Sequence, residues 1–200
     1  MKSLILLLAI MLSGCVNLGG ETRPNTTYIL LDTQNVQAAA VPQPQTLMVA
    51  TTRSNGYDDN DKLVFSRTAN TRGVYQLARW SERPSSRLSE LVFSRLMNSR
   101  IYANTVPEDS DVTAERLLTT ELLSFYHDAS TQPGQVRVRM RATLYDNQQH
   151  VLISQRVFEQ SAAVKTYDAA GAAAAFNLAS TALLDDMVSW LAQSAAANSH

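Results

Sequence analysis

The sequence predicts a single α+β domain, an antiparallel or mixed β-sheet with two amphipathic helices packed on one face, and three patterns carry that expectation. Residues 135–145 (QVRVRMRATLY) alternate strictly. Val136, Val138, Met140, Ala142 and Leu144 point to one side, and Arg137, Arg139, Arg141, Thr143 and Tyr145 to the other. That is the period of a strand with one covered and one wet face. Leu88, Leu91, Val92 and Leu96 recur at helical spacing, and so do Phe176, Leu183, Met187, Trp190 and Leu191 near the C-terminus. With 200 residues, 45% apolar and 18% charged, the chain can bury one proper core and is not of the disordered class.

Along the chain, residues 28–31 (YILL) read as the first strand, and the alanine- and proline-bearing stretch 34–45 as a surface loop. Residues 47–51 (LMVAT) form a second strand. After an acidic turn at 56–61, residues 63–67 (LVFSR) and 74–78 (VYQLA) pair as a hairpin. Pro84 suits the first turn of a helix, with Ser85 and Ser86 behind it. Residues 101–106 return as a strand, residues 107–115 form another acidic loop, and 116–126 and 135–145 are two long strands. Asp146-Asn147 turns the chain into a further strand at 151–158, and Asp168 is an N-cap for a last helix over 169–195. The domain is expected over 28–193, followed by a frayed tail, 194–200.

The first residues carry the sharpest functional signal. Lys2 precedes an uncharged apolar run, residues 4–12 (LILLLAIML). That run is too short to span a bilayer, which takes about 20 residues, and reads as a signal peptide, residues 1–14. It ends in Leu12-Ser13-Gly14-Cys15, and Cys15 is the only cysteine of the chain, so no internal disulfide is possible and the lone thiol of an exported protein needs a use. Residues 15–27, rich in Gly, Asn and Thr, read as a flexible tether.

Enzyme chemistry lacks a constellation. His127, His150 and His200 have no metal-ligand spacing, and there is neither a Gly-x-Ser-x-Gly elbow nor a phosphate-binding glycine loop. Asp58, Asp59 and Asp61 lack the glycine and the terminal glutamate of a calcium loop, and read as a solvated loop. Trp80 and Trp190 fall on apolar stripes and read as core anchors. The net charge is -1, with no dense basic cluster, which argues against a nucleic-acid binder. Three like charges on one strand face, Arg137, Arg139 and Arg141, repel unless neighbours such as Glu121 or Glu159 pair with them or a partner does. A solvated, internally paired face is the first reading of them and a partner-binding face the second.

Residues 12–15 resemble the lipobox of bacterial lipoproteins. That resemblance implies cleavage before Cys15, a diacylglycerol thioether on its sulfur and an acyl chain such as palmitate on its amino group, with no other cofactor. Val16 in place of aspartate implies sorting to the outer membrane, periplasmic face, by the enterobacterial pattern. The mature chain resembles the auxiliary lipoproteins of ABC-type lipid transport systems, in particular those of the paraquat-inducible MCE system. The likeness runs through Tyr28-x-Leu30, Arg79-Trp80-x-x-x-Pro84, the helix with Leu88, Leu91 and Leu96, the 139–146 hairpin arm and the terminal Trp190-Leu191. It implies a non-enzymatic subunit that docks an MCE-domain protein at the outer membrane, as a homo-oligomeric ring. The alternative is a stand-alone lipoprotein that binds a lipid or envelope component in an apolar cavity.

Overall fold

The computed structural model describes residues 25–34, 36–54 and 56–197. The expected signal peptide, Cys15, most of the tether and the last three residues of the expected tail lie outside the described residues. Among the described residues nine strands and two helices follow in the order β1 (Thr26–Tyr28), β2 (Gln43–Val49), β3 (Arg53–Ser54), β4 (Lys62–Ser66), β5 (Gly73–Trp80), α1 (Pro84–Ser99), β6 (Tyr102–Pro107), β7 (Arg116–Asp128), β8 (Gln135–Asp146), β9 (Val151–Ala163) and α2 (Ala169–Ala197).

Strand β7 is the axis of one mixed sheet. Antiparallel β8 pairs along its whole length on one side, and β9 pairs antiparallel beyond β8. On its other side three short strands follow one another in parallel: β2 at Leu117, β3 at Glu121 and β4 at His127. Parallel β6 extends the sheet past β2, while β5 and then β1 extend it past β4. The sheet stays open, with β9, β6 and β1 at its edges.

Helix α2 lies over β8 and β9, α1 lies over β6 and β7, and the helices touch each other. Beneath them all five even-numbered apolar residues of β8 are buried, as the alternation predicts. Phe125 stacks on Phe176 with centroids 4.2 Å apart, and Trp80 meets both rings edge-on. Trp190 packs on Phe158 and donates its indole N–H to Ser154 Oγ at 3.1 Å. Both tryptophans are the core anchors expected.

Asp168 caps α2, its carboxylate accepting the Gly171 N–H at 2.7 Å. A Cβ at Gly171 would lie 2.3 Å from the Thr166 carbonyl oxygen, so the turn into the helix admits only glycine. Helix α1 starts with Pro84 in its first turn and ends at Arg100, which is left-handed with φ 50°.

Four expectations change. The first strand is Thr26–Tyr28, not residues 28–31, so the tether's last two residues already belong to the sheet. Beyond it the chain bonds to helix side chains instead of a strand: Leu31 N–H to Asn177 Oδ1 (3.0 Å), Thr33 N–H to Thr181 Oγ1 (3.1 Å), and the Leu30 carbonyl to Arg87 Nε (2.9 Å). Strand β2 starts inside the expected 34–45 loop and stops at Val49. Past its end Thr51 N–H donates to Glu108 and Thr52 N–H to Ser89 Oγ. Helix α2 continues to Ala197 with Ala195 buried, where fraying was expected from Ser194. The acidic turn is solvated at only one of its three aspartates, Asp61, which is exposed and 3.4 Å from Arg79. Asp58 is buried on Arg72 (2.7 Å), and Asp59 accepts both the N–H and the hydroxyl of Ser85 at the head of α1 (2.9 and 2.8 Å).

Candidate functional site: the uncovered sheet face

With both helices on one face, the opposite face of β7, β8 and β9 carries every outward side chain of the central hairpin. Directly paired residues in a sheet share a face, so the register divides this surface into rows. Leu117 pairs with Met48 on one side and Tyr145 on the other. Met48 continues to Val106 and Tyr145 to Leu152. Val106, Met48, Leu117, Tyr145 and Leu152 therefore form one apolar row across five strands, from the β6 edge to the β9 edge. Their sequence neighbours Leu47, Val49, Leu118 and Leu144 point into the core. Leu152 is 54% exposed, at the open end of the row.

Moving along the strands, a neutral row of Thr119, Thr143 and Gln155 precedes a charged one of Arg53, Glu121 and Arg141, which ends at exposed Val157. The three arginines do not stand alone. Arg141 donates to Glu121 (2.6 Å), Arg139 lies 3.3 Å from Glu159, and Arg137 donates to Asp128 (3.0 Å) with Glu159 at 3.8 Å. Glu121 and Glu159 are the neighbours the strand pattern singled out, and cross-strand pairing explains how three guanidiniums share one face. Hydrogen bonds from Ser130 hold the Asp128 carboxyl below its ordinary value, with Arg137 adding to the effect against partial burial. Half-exposed pairs of this kind contribute about 0–1 kcal/mol each, so the ladder is orderly and still cheap to re-pair. The surface thus offers an apolar stripe and, about 13 Å along the strands, a re-pairable stripe of alternating charge.

Two buried polar clusters escaped sequence reasoning. Arg95 sits on the α1 stripe with only 3% of its side chain exposed. It bonds both carboxylate oxygens of Asp32 (Nε to Oδ2, 2.6 Å) and one of Asp185, tying the strap after β1 to both helices. Burial pushes the Asp32 carboxyl up, but the Arg95 hydrogen bonds and charge, with the Gln34 N–H and Thr181, hold it below its ordinary value. His127 is fully buried, with Tyr75 Oη 2.9 Å from Nδ1 and the Pro133 carbonyl 2.8 Å from Nε2. The carbonyl can only accept, so Nε2 carries the proton and Nδ1 accepts from Tyr75. Burial keeps this imidazole below its ordinary pKa and pushes the Tyr75 phenol up to about 12. Only the short polar spacing of Arg95 within an apolar stripe hinted at the first cluster, and nothing local hinted at the second.

Among the described residues no group of three or more His, Cys, Asp and Glu side chains could hold a metal, and no helix is long and apolar enough to cross a membrane. A cleft of about 680 Å³ beside the ladder is walled by Asp58, Arg72, Asp128 and Arg137, a polar lining unlike that of an acyl-chain cavity.

No protein with a curated description matches the sequence. Among solved structures, protein XCC0632 from Xanthomonas campestris, of family DUF330, is similar over 87% of this chain and 98% of its own, with a TM-score of 0.77 at 22% identity. The hypothetical protein CT253 from Chlamydia trachomatis is similar over 78% of this chain and 99% of its own, with a TM-score of 0.54 at 11% identity. These likenesses show the fold. A family model for the ABC-type transport auxiliary lipoprotein component matches residues 28–188.

Proposed function

We propose, from the premise that this chain belongs to the family of ABC-type transport auxiliary lipoprotein components, that it is the outer-membrane lipoprotein of an MCE-type intermembrane lipid transport complex. In this reading acyl chains on Cys15 hold the domain at the periplasmic face, the uncovered sheet face receives the MCE-domain protein, and identical subunits repeat around the conduit as a ring. The role is that of a docking subunit, without catalysis.

The observation that carries the reading is the division of the uncovered face into the apolar row and the ladder of Arg137, Arg139 and Arg141. An apolar stripe that crosses an entire sheet and ends at open edges favours protein contact, and alternating charges beside it set the register of whatever binds. Tethering adds to this. Two or more acyl chains anchor stably where one does not, and confinement to a membrane raises the effective concentration of partners.

The test is gentle detergent extraction of tagged protein, crosslinking and mass spectrometry. Recovery of an MCE-domain protein or an ABC permease is expected. Recovery of the lipoprotein alone, or with peptidoglycan enzymes, would discard the transport complex. Cys15→Ala is expected to leave a folded domain in the soluble fraction and to abolish transport function, and full function of the soluble variant would count against the anchor.

A further inference from the structure

Two adjoining grooves lie where the tether enters the fold. One, of about 470 Å³, is lined by Thr26, Tyr28, Tyr75, Leu77 and the first residues of α2. The other, of about 410 Å³, shares Tyr75 and Gln76 with it and adds Phe65, Arg67 and Tyr167. The rim is apolar and phenolic: Leu77 is 43% exposed and Tyr167 39%. The Arg67 guanidinium rests over the Phe65 ring, 4.8 Å from its centroid, and Lys165 stands two residues before Tyr167. Among the described residues that line the two grooves, the one acidic side chain, Asp168, is engaged by the Gly171 N–H and the Thr166 hydroxyl.

We infer that this tyrosine-walled groove, beside the point where the tether joins β1, seats on the phospholipid headgroup layer of the anchoring membrane. The inference rests on the lipid-anchor reading of Cys15. Thr26 itself lines the groove, and eleven peptide units separate it from Cys15, a reach of at most about 40 Å. The surface around Thr26 is therefore kept by the anchor within that distance of the bilayer. Its chemistry suits that place. Tyrosine presents an apolar body and a polar tip, which is why it gathers at membrane–water interfaces. A guanidinium resting over an aromatic ring keeps its donors available for phosphate oxygens. Leu77 supplies an apolar side chain of a size to enter between headgroups.

Since Cys15 is the only cysteine and is consumed by acylation, Leu77→Cys gives one reactive thiol, and exposed Met97→Cys on α1 gives a control. Each full-length lipoprotein would carry a nitroxide at that thiol in vesicles of phosphatidylethanolamine and phosphatidylglycerol. Collision with oxygen and with an aqueous nickel chelate is then read by electron paramagnetic resonance. The label at position 77 is expected to meet nickel several-fold less, relative to oxygen, than the label at 97. Replacing phosphatidylglycerol with phosphatidylcholine should narrow that difference, through Arg67 and Lys165. Equal access to nickel at both positions, in protein whose acylated N-terminus is seen by mass spectrometry, would overturn this inference and leave the anchor standing. A label at 77 shielded from both reagents would assign the groove to a protein contact, overturning it as well. An unmodified Cys15 would overturn the anchor and the groove's role together.

Discussion

Arg95 and His127 are single residues on which distant segments converge, and each fails in its own way. Arg95→Ala leaves the Asp32 carboxylate with Thr181 and the Gln34 N–H but without its cation. Breaking a buried pair costs about 3–5 kcal/mol, and because Asp185 is partly solvated a loss of about 2–3 kcal/mol is expected in urea unfolding. A loss below about 1 kcal/mol would reduce the cluster to an ordinary surface pair. His127 sets a pH dependence. Its folded pKa lies below the unfolded 6.5, so the unfolded chain takes up the proton first. The stability it contributes is complete above about pH 6.5 and falls as pH drops from there toward the folded value. Asp32, lowered from 3.8, contributes throughout that window and is lost only below it. The melting temperature should therefore decline as pH falls below about 6.5, and His127→Gln should flatten that decline. An unchanged slope in the variant would assign the titration to another group.

At the scale of the element, α1 depends on a carboxylate that lies 26 residues upstream of the serine it holds. Asp59 serves the α1 N-terminus from outside the helix, so Asp59→Ala should cost about 1 kcal/mol, the usual loss for a helix cap. Denaturant midpoints would measure it, and a cost equal to that of a neutral surface change would remove Asp59 from the helix. Strand β8 illustrates the opposite case. Its core-facing set was legible residue by residue, because a period of two leaves a single way to cover Val136, Val138 and Met140. Thr143, expected on the wet face, is buried as well and accepts a hydrogen bond from Gln155. The hairpins β4–β5 and β8–β9 and both helices were legible for the same reason, since period and turn chemistry are local. The start of β1 was not. The YILL run has strand composition, but Asn177 and Arg87 capture its backbone from across the fold.

At the scale of the molecule, the helices divide the sheet into a sealed face and an open one, and the open one carries the docking proposal. Reversing two of its charges and one apolar contact (Arg139→Glu, Arg141→Glu and Leu152→Asp together) should abolish recovery of the MCE-domain protein. All three sites are exposed or partly exposed, so the circular dichroism spectrum should stay unchanged. Recovery at the parental level would move the contact off this face. The arginines were visible in the sequence as a candidate surface. The apolar row beside them was not, because Val106, Met48, Leu117, Tyr145 and Leu152 come from five strands and meet only through the pairing register.

The amino-acid sequence by itself determined the α+β class, the two helical stripes, the one-sided burial of β8 and the family likeness. All of these rest on periods or short motifs a few residues long. Only the tertiary structure decided which carboxylates meet Arg95, which ring receives the Tyr75 hydroxyl, and how five scattered side chains line up across the sheet. Those contacts join residues tens of positions apart, and a pair at such separation leaves no periodic trace in a chain until the sheet register brings it together.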